Sequence, residues 1–320
     1  MEHVALFIAG LGLLAVGAPM LVFGAARLDR ATGRSPFAVG AIAVCFGPCV
    51  AGLAFDLVAV LRQPPVTRLA VGHIIGSNVA SIGLVLGAAA LARPIAATAR
   101  LFYVAVPLAI GASLLFWFLG RNGPDVPLSR VDAGFLLGAG AVALGLLVSA
   151  ARGEPAEVKA EFASCVPERI PVWAAAVLAL AGAAALVGGG YLIAKELLGT
   201  ANHLKAPSFV LGTVGAFVTA LPTVVVAVIA ARRGRPDLVL GVVVGPVIFN
   251  LLFTAGLVAM THPLVVDRRV ILEVIPVMAL FALLLLPVRF NGLKVPRWEG
   301  TLLLAAYVGF VAWQVAAVAR

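Results

Sequence analysis

Residues Val210–Asn250 read VLGTVGAFVTALPTVVVAVIAARRGRPDLVLGVVVGPVIFN, two apolar segments joined by the short basic turn Arg232-Arg233-Gly234-Arg235-Pro236-Asp237. Pro222 interrupts the first segment, and Gly245-Pro246 falls in the middle of the second. Val39–Ser81, VGAIAVCFGPCVAGLAFDLVAVLRQPPVTRLAVGHIIGSNVAS, has the same layout. The likeness extends outward. A displacement of 171 sets Gly17 on Gly188, Pro36 on Pro207, Val39 on Val210, Phe46 on Phe217, Ala59 on Ala230 and Arg62 on Arg233. Past the turn, two residues longer in the first copy, a displacement of 169 sets Gly72 on Gly241, Gly76 on Gly245, Gly87 on Gly256 and Pro94 on Pro263. Matched Pro and Arg beside equivalent turns make chance a minor explanation. A Gly/Pro-interrupted apolar pair that occurs twice in one chain points to the binding site of a carrier.

The 320 residues are 62% hydrophobic and 12% charged, where a soluble domain is nearer 45–50% and about 25%. Long apolar runs separated by short turns imply a helical membrane protein. The formal charge of +9 sits in the turns between spans, so it argues for membrane topology and against a nucleic-acid partner. Cys45, Cys49 and Cys165 form neither a metal-ligand pattern nor a disulfide framework. MEHVALFIAGLGLLAVGAPM has Glu2 and no Lys or Arg before its apolar run, so it reads as a retained first helix.

Apolar windows predict ten spans at roughly 4–26, 36–61, 69–92, 101–119, 132–151, 172–199, 207–231, 238–260, 270–287 and 300–318. The fold class is therefore an all-α polytopic membrane protein, about ten transmembrane helices in two five-helix repeats. Because five is odd, the second repeat enters the membrane from the opposite side, an inverted-topology repeat. The expected division is a first repeat at 1–151, a linker at 152–171 that collects many acidic residues, and a second repeat at 172–320. Of the 23 Lys and Arg, 14 lie in the loops after helices 1, 3, 5, 7 and 9. That bias predicts a multi-pass protein of the cell (plasma or inner) membrane, with the helix 5–6 loop cytoplasmic and both termini outside.

Helix breaks persist in hydrocarbon only where protein or a watery cavity covers them. Gly47 and Pro48 are expected to break helix 2, and Pro222 to break helix 7 at the equivalent depth, where exposed carbonyls and half-helix ends coordinate cations. The motifs around these positions are Phe46-Gly47-Pro48-Cys49-Val50-Ala51-Gly52-Leu53 with Gly72-His73-Ile74-Ile75-Gly76-Ser77-Asn78-Val79-Ala80-Ser81. In the second half they are Phe217-Val218-Thr219-Ala220-Leu221-Pro222-Thr223-Val224 with Gly241-Val242-Val243-Val244-Gly245-Pro246-Val247-Ile248-Phe249-Asn250. Both pairs resemble the repeats of the cation/calcium exchanger superfamily, sodium/calcium exchanger type, whose pattern is roughly G-T-S-x-P-E followed by G-N-x-x-G-S-N/D-x-x-N. The resemblance spans nearly the whole chain. It implies a secondary active cation antiporter in which helices 2, 3, 7 and 8 form the core and helices 1 and 6, with their small-residue packing surfaces, move against it.

The ion-site motifs are degenerate. The resemblance would make two glutamates the main calcium ligands, and they fall on Gly52 and Thr223. The Ser-Asn pair survives as Ser77-Asn78 and becomes Pro246-Val247 in the other repeat. Of the hydroxyls beside the glutamates Thr219 remains, the other positions being Pro48, Cys49 and Ala220. Calcium takes six to eight oxygens, usually including carboxylates, so monovalent cation/proton exchange, or another substrate, is the expectation. Asp56 lies about one helical turn beyond Gly52, and two roles are open to it: carrying a cation or proton, or pairing with Arg62 near the helix end. His73 either joins a proton relay or is a packed, hydrogen-bonded histidine. The candidate ion path is thus Asp56, His73, Ser77, Asn78, Thr219 and Thr223.

Other polar residues read more simply: Arg269–Glu273 as an i, i+4 pair, Lys195-Glu196 as snorkelling at a helix end, Asp237 as an acid at a helix start, and Asn250 as an interhelical hydrogen-bonding group. No nucleotide-binding loop is present, so ion gradients would drive transport. No cofactor and no enzymatic activity are expected. Expected partners are the lipid bilayer and small cations, with Na+, Ca2+ or H+ as transported ions and the oligomeric state open. The alternative is a non-transporting scaffold or sensor descended from the same fold.

Overall fold

A computed structural model describes residues 2–32, 47, 49–121, 127–155, 170–204 and 207–317. It contains the helices α1 (Glu2–Thr32), α2 (Cys49–Leu61), α3 (Thr67–Ala92), α4 (Leu101–Gly120), α5 (Arg130–Arg152), α6 (Val172–Leu204), α7 (Ser208–Arg232), α8 (Pro236–Thr261), α9 (Val270–Phe290) and α10 (Arg297–Ala316). Among the described residues nine helices are long and apolar enough to cross a membrane, and α2 is shorter. The expected start of span 2, at 36–46, lies outside the described residues, as do Pro48 and most of the 152–171 linker.

The ends of the helices have local causes. Ser129 and Asp132 form a reciprocal capping box at the start of α5. Pro236 occupies the first position of α8, where its missing N–H costs nothing. Pro222 corrects an expectation: α7 runs unbroken through it from Ser208 to Arg232. One proline removes a single backbone bond, and the apolar residues on either side keep the helix going. Gly47 lies in a turn, its carbonyl accepting from Val50 N at 3.2 Å, and α2 begins at Cys49.

The two halves repeat in detail. Val66, preceding α3, has φ −112° and ψ 68°; Arg235, preceding α8, has φ −112° and ψ 69°. A π-helical segment interrupts α3 at Ala80–Leu86, and another interrupts α8 at Phe249–Thr254. The short strands β1 (Ile95–Ala96) and β2 (Lys294–Val295) pair Ile95 with Val295, and the equivalent Leu264 bridges Leu128. Arg68 binds Asp267 at 2.8 Å, and at the matching positions Asp237 accepts from Thr98. The register read from the sequence therefore holds in space.

Small residues set how closely the helices approach. Gly10, Gly17 and Gly24 recur every seven residues along α1 and face Gly189, Gly182 and Ala175 of the antiparallel α6. In the core, a Cβ on Gly72 would overlap the carbonyl of Phe209, and one on Gly212 would overlap that of Leu69. Thus α3 and α7 lie side by side in parallel with their backbones in contact. The long helices α3 and α8 are the most buried, and α2 and α7 complete the centre of the bundle.

Candidate functional site

A cavity of about 40 Å³ lies where α2, α3, α7 and α8 meet. Its lining includes four repeat-equivalent pairs: Cys49 with Ala220, Gly52 with Thr223, Ser77 with Pro246, and Ser81 with Asn250. A cavity bounded by the same positions of both halves lies on the axis that relates them. Thr219 adds a further hydroxyl. The volume exceeds the ~10–15 Å³ that one water needs. The polar lining is made of hydroxyls, a thiol and an amide, and none of these side chains carries a formal charge at neutral pH. Among the described residues no group of three His, Cys, Asp or Glu is placed to hold a metal ion.

Of the expected ion-path residues, Ser77, Thr219 and Thr223 line this cavity. Asn78 does not. Successive helical positions point about 100° apart, so Asn78 turns toward α9, donating to Ile74 O at 2.9 Å with its amide 3.8 Å from Met278 Sδ. Asp56 and His73 lie behind the cavity wall, 0% and 2% exposed. Asp56 pairs with His73 rather than Arg62: Nδ1 is 3.1 Å from Oδ2 and 3.0 Å from Oδ1. On the other side of the ring, Nε2 is 3.1 Å from Thr219 Oγ1. Phe55 stacks on the imidazole at 4.3 Å between centroids.

His73 stands where a side chain at position 52 would go, since a Cβ on Gly52 would lie 3.0 Å from His73 Cε1. The imidazole therefore fills space that the glycine leaves open. The hydrogen-bond directions constrain the protons. Thr219 Oγ1 donates to Ala216 O at 3.2 Å, which uses its only proton. With that hydroxyl so placed, His73 Nε2 donates to Thr219 and Nδ1 meets the Asp56 carboxyl either as acceptor from a protonated acid or as donor to a carboxylate; with the hydroxyl turned onto Nε2, a neutral imidazole donates from Nδ1 to the Asp56 carboxylate. The first two arrangements leave the buried pair with no net charge and with one proton more than the third, which carries one negative charge. Losing that proton leaves one negative charge beside the cavity, reachable through Thr219.

Sequence reading missed Ser81 as a lining residue and gave Asn250 only an interhelical hydrogen-bonding role. Both end their motifs at matched positions, a signal available in the repeat. Each lies within or beside a π-helical segment, which adds a residue to the turn and redirects the side chains that follow it. Ser81 Oγ donates to Ser77 O at 2.8 Å. Elsewhere Arg269 and Glu273 pair at 3.3 Å as expected. Glu196 is buried and accepts from His3 Nδ1 at 2.7 Å, where snorkelling to water had been the expectation; the start of α1 folds over it.

Among the described residues, ten helices in two inverted halves around a small polar cavity define a carrier-type membrane protein. The sequence profile described as sodium/calcium exchanger protein matches residues 2–149 and 173–316, and the chain belongs to that family. CaxA of Alkalimonas amylolytica is 32% identical over 308 residues, covering 94% of this chain and 95% of its own length. The sodium/calcium exchanger MaX1 of Methanosarcina acetivorans is 27% identical over 341 residues, covering 94% and 95%. Among solved structures, the sodium-calcium exchanger NCX_Mj soaked with Na+ and Sr2+ is similar with a TM-score of 0.71 and 25% identity, over 97% of each chain.

Proposed function

We propose that this chain is a secondary active antiporter exchanging a monovalent cation for protons through the central cavity. The observation that carries the reading is the cavity's chemistry. The polar side chains of its lining are hydroxyls, a thiol and an amide, and the buried Asp56 carboxyl is linked to it through His73 and Thr219. Calcium takes six to eight oxygens, usually with carboxylates; a monovalent ion asks for less charge. Proton loss from the Asp56–His73 pair supplies one negative charge as the cation enters, and return of the proton expels it. MaX1 and NCX_Mj are named for sodium and calcium exchange, and CaxA carries an antiporter's name. Sodium is accordingly the first monovalent ion to test.

In this reading the repeats are 1–151 and 172–320, joined by the 152–171 linker. Both termini lie outside the cell or inner membrane, and the linker is cytoplasmic. Helices α1 and α6 slide as a pair against the core formed by α2, α3, α7 and α8. The working parts are the bilayer, small cations and the chain itself, with no resident cofactor, no nucleic acid and no catalysed covalent step. A non-transporting scaffold is the second reading, favoured by the complete burial of Asp56.

The test is flux into vesicles reconstituted with the purified protein, across Na+, K+ and Ca2+ with an imposed pH gradient. The parent should move Na+ or K+ against protons, and Asp56→Asn should abolish the pH-driven component. Unchanged flux in the variant makes Asp56 structural. Sodium-driven Ca2+ uptake indifferent to pH overturns the monovalent reading. A parent that moves no ion under any gradient supports the scaffold.

A further inference from the structure

A second cavity, of about 840 Å³, opens between α2 and α6 near the start of α1. Its walls are graded. Val50, Leu53 and Val187 line the deeper part, close to where α6 touches Ala51 through Gly190. Arg62 and Lys195 lie in the half nearer the α2–α3 turn. From Val50 to Arg62 the rise is ~18 Å at 1.5 Å per residue, against the ~15 Å of one hydrocarbon leaflet. Both cations are exposed, and among the described residues neither has an acidic partner. Glu196, the one acid in the lining, is engaged by His3 at 2.7 Å.

A cleft one leaflet deep, apolar below and cationic above, matches one kind of occupant in charge and length. We propose that it is a binding site for an anionic phospholipid, an acyl chain lying between α2 and α6 and the phosphate meeting Arg62 and Lys195. The free cations distinguish this from an ordinary lipid-facing surface, which gives the headgroup no preference. Snorkelling alone leaves Lys and Arg heads in water, whereas here two of them stand over one cavity large enough for a chain. The proposal does not depend on which ion, if any, the central cavity carries.

The experiment is native mass spectrometry of the full chain in detergent, titrated separately with dioleoyl phosphatidylglycerol and dioleoyl phosphatidylcholine. The parent should retain the anionic lipid at about tenfold lower concentration than the zwitterionic one. Arg62→Gln with Lys195→Gln should bring the two lipids level, and Leu57→Trp, which narrows the cleft where the acyl chain would lie, should weaken retention of the anionic lipid at least fivefold. Both sets of changes are at the cleft surface, and a monodisperse profile with unchanged melting confirms folding. Equal retention of both lipids by the parent overturns the site. So does a preference that survives the double substitution, or anionic retention indifferent to Leu57→Trp, which would place the lipid elsewhere.

Discussion

Asp237 offers a test in which symmetry sets the position and burial sets the energy. It is 0% exposed at the start of α8, and its Oδ1 accepts from Thr98 N and Ala99 N, both at 2.8 Å, while Oδ2 accepts from the Thr98 hydroxyl at 2.9 Å. Asp237→Ala leaves the buried Ala99 N–H and the part-buried Thr98 N–H without an acceptor, the first costing about 1–3 kcal/mol and the second less, and it also removes the Thr98 hydroxyl bond, so a loss of about 3–4 kcal/mol is expected. Asp237→Asn should be far milder. An amide oxygen at the Oδ1 position keeps both backbone bonds, and the amide nitrogen at Oδ2 donates to a Thr98 hydroxyl that has turned from donor to acceptor. Only the charge assistance is lost, about 1 kcal/mol. The repeat-equivalent Arg68 pairs with Asp267 at 57% and 34% exposure. Such a bridge contributes under about 1 kcal/mol, so Arg68→Ala should be nearly silent. Denaturant unfolding of the purified protein in micelles, followed by tryptophan fluorescence, reads all three. Roughly a hundredfold or more in the unfolding equilibrium should separate Asp237→Ala from Arg68→Ala. Asp237→Ala within 1 kcal/mol of the parent, or Asp237→Asn as damaged as Asp237→Ala, would refute the hydrogen-bond account.

Three further outcomes follow from the core. Among the described residues no hydrogen bond holds the Asn250 side chain, which faces the central cavity; Asn250→Ala should keep stability within about 1 kcal/mol while weakening cation affinity about tenfold in vesicle flux, roughly one ligand's contribution. Gly52→Ala places a methyl 3.0 Å from His73 Cε1, so the ring must shift, with a cost of about 1–3 kcal/mol by denaturant unfolding and a flattened pH profile of flux. Gly212→Ala sets a methyl against the Leu69 carbonyl and 2.7 Å from His73 N. There is no flexible side chain to give way, so the variant should lose its monodisperse peak on size exclusion.

Length, period and punctuation along the chain determined the architecture. A span is about 20 apolar residues wherever it packs, so ten windows located ten helices before any contact was known. Pro and Arg recurring at displacements of 171 and 169 specified the inverted pairing, and the matched backbone angles of Val66 and Arg235 follow from that register. That positions 52 and 223 hold Gly and Thr was equally a property of the string. Directions of side chains were not. Two π-helical segments redirect the residues near Ser81 and Asn250, and adjacent Ser77 and Asn78 face different neighbours. Pro222 bends no rule in a helix that carries on past it. Most of all, the tertiary structure decided what Asp56 meets: not Arg62 six residues on, but His73 across the helix interface, in the space that Gly52 leaves empty. That pairing depends on how closely two backbones approach and on where an unfilled volume lies, quantities that arise only when separate helices are brought together.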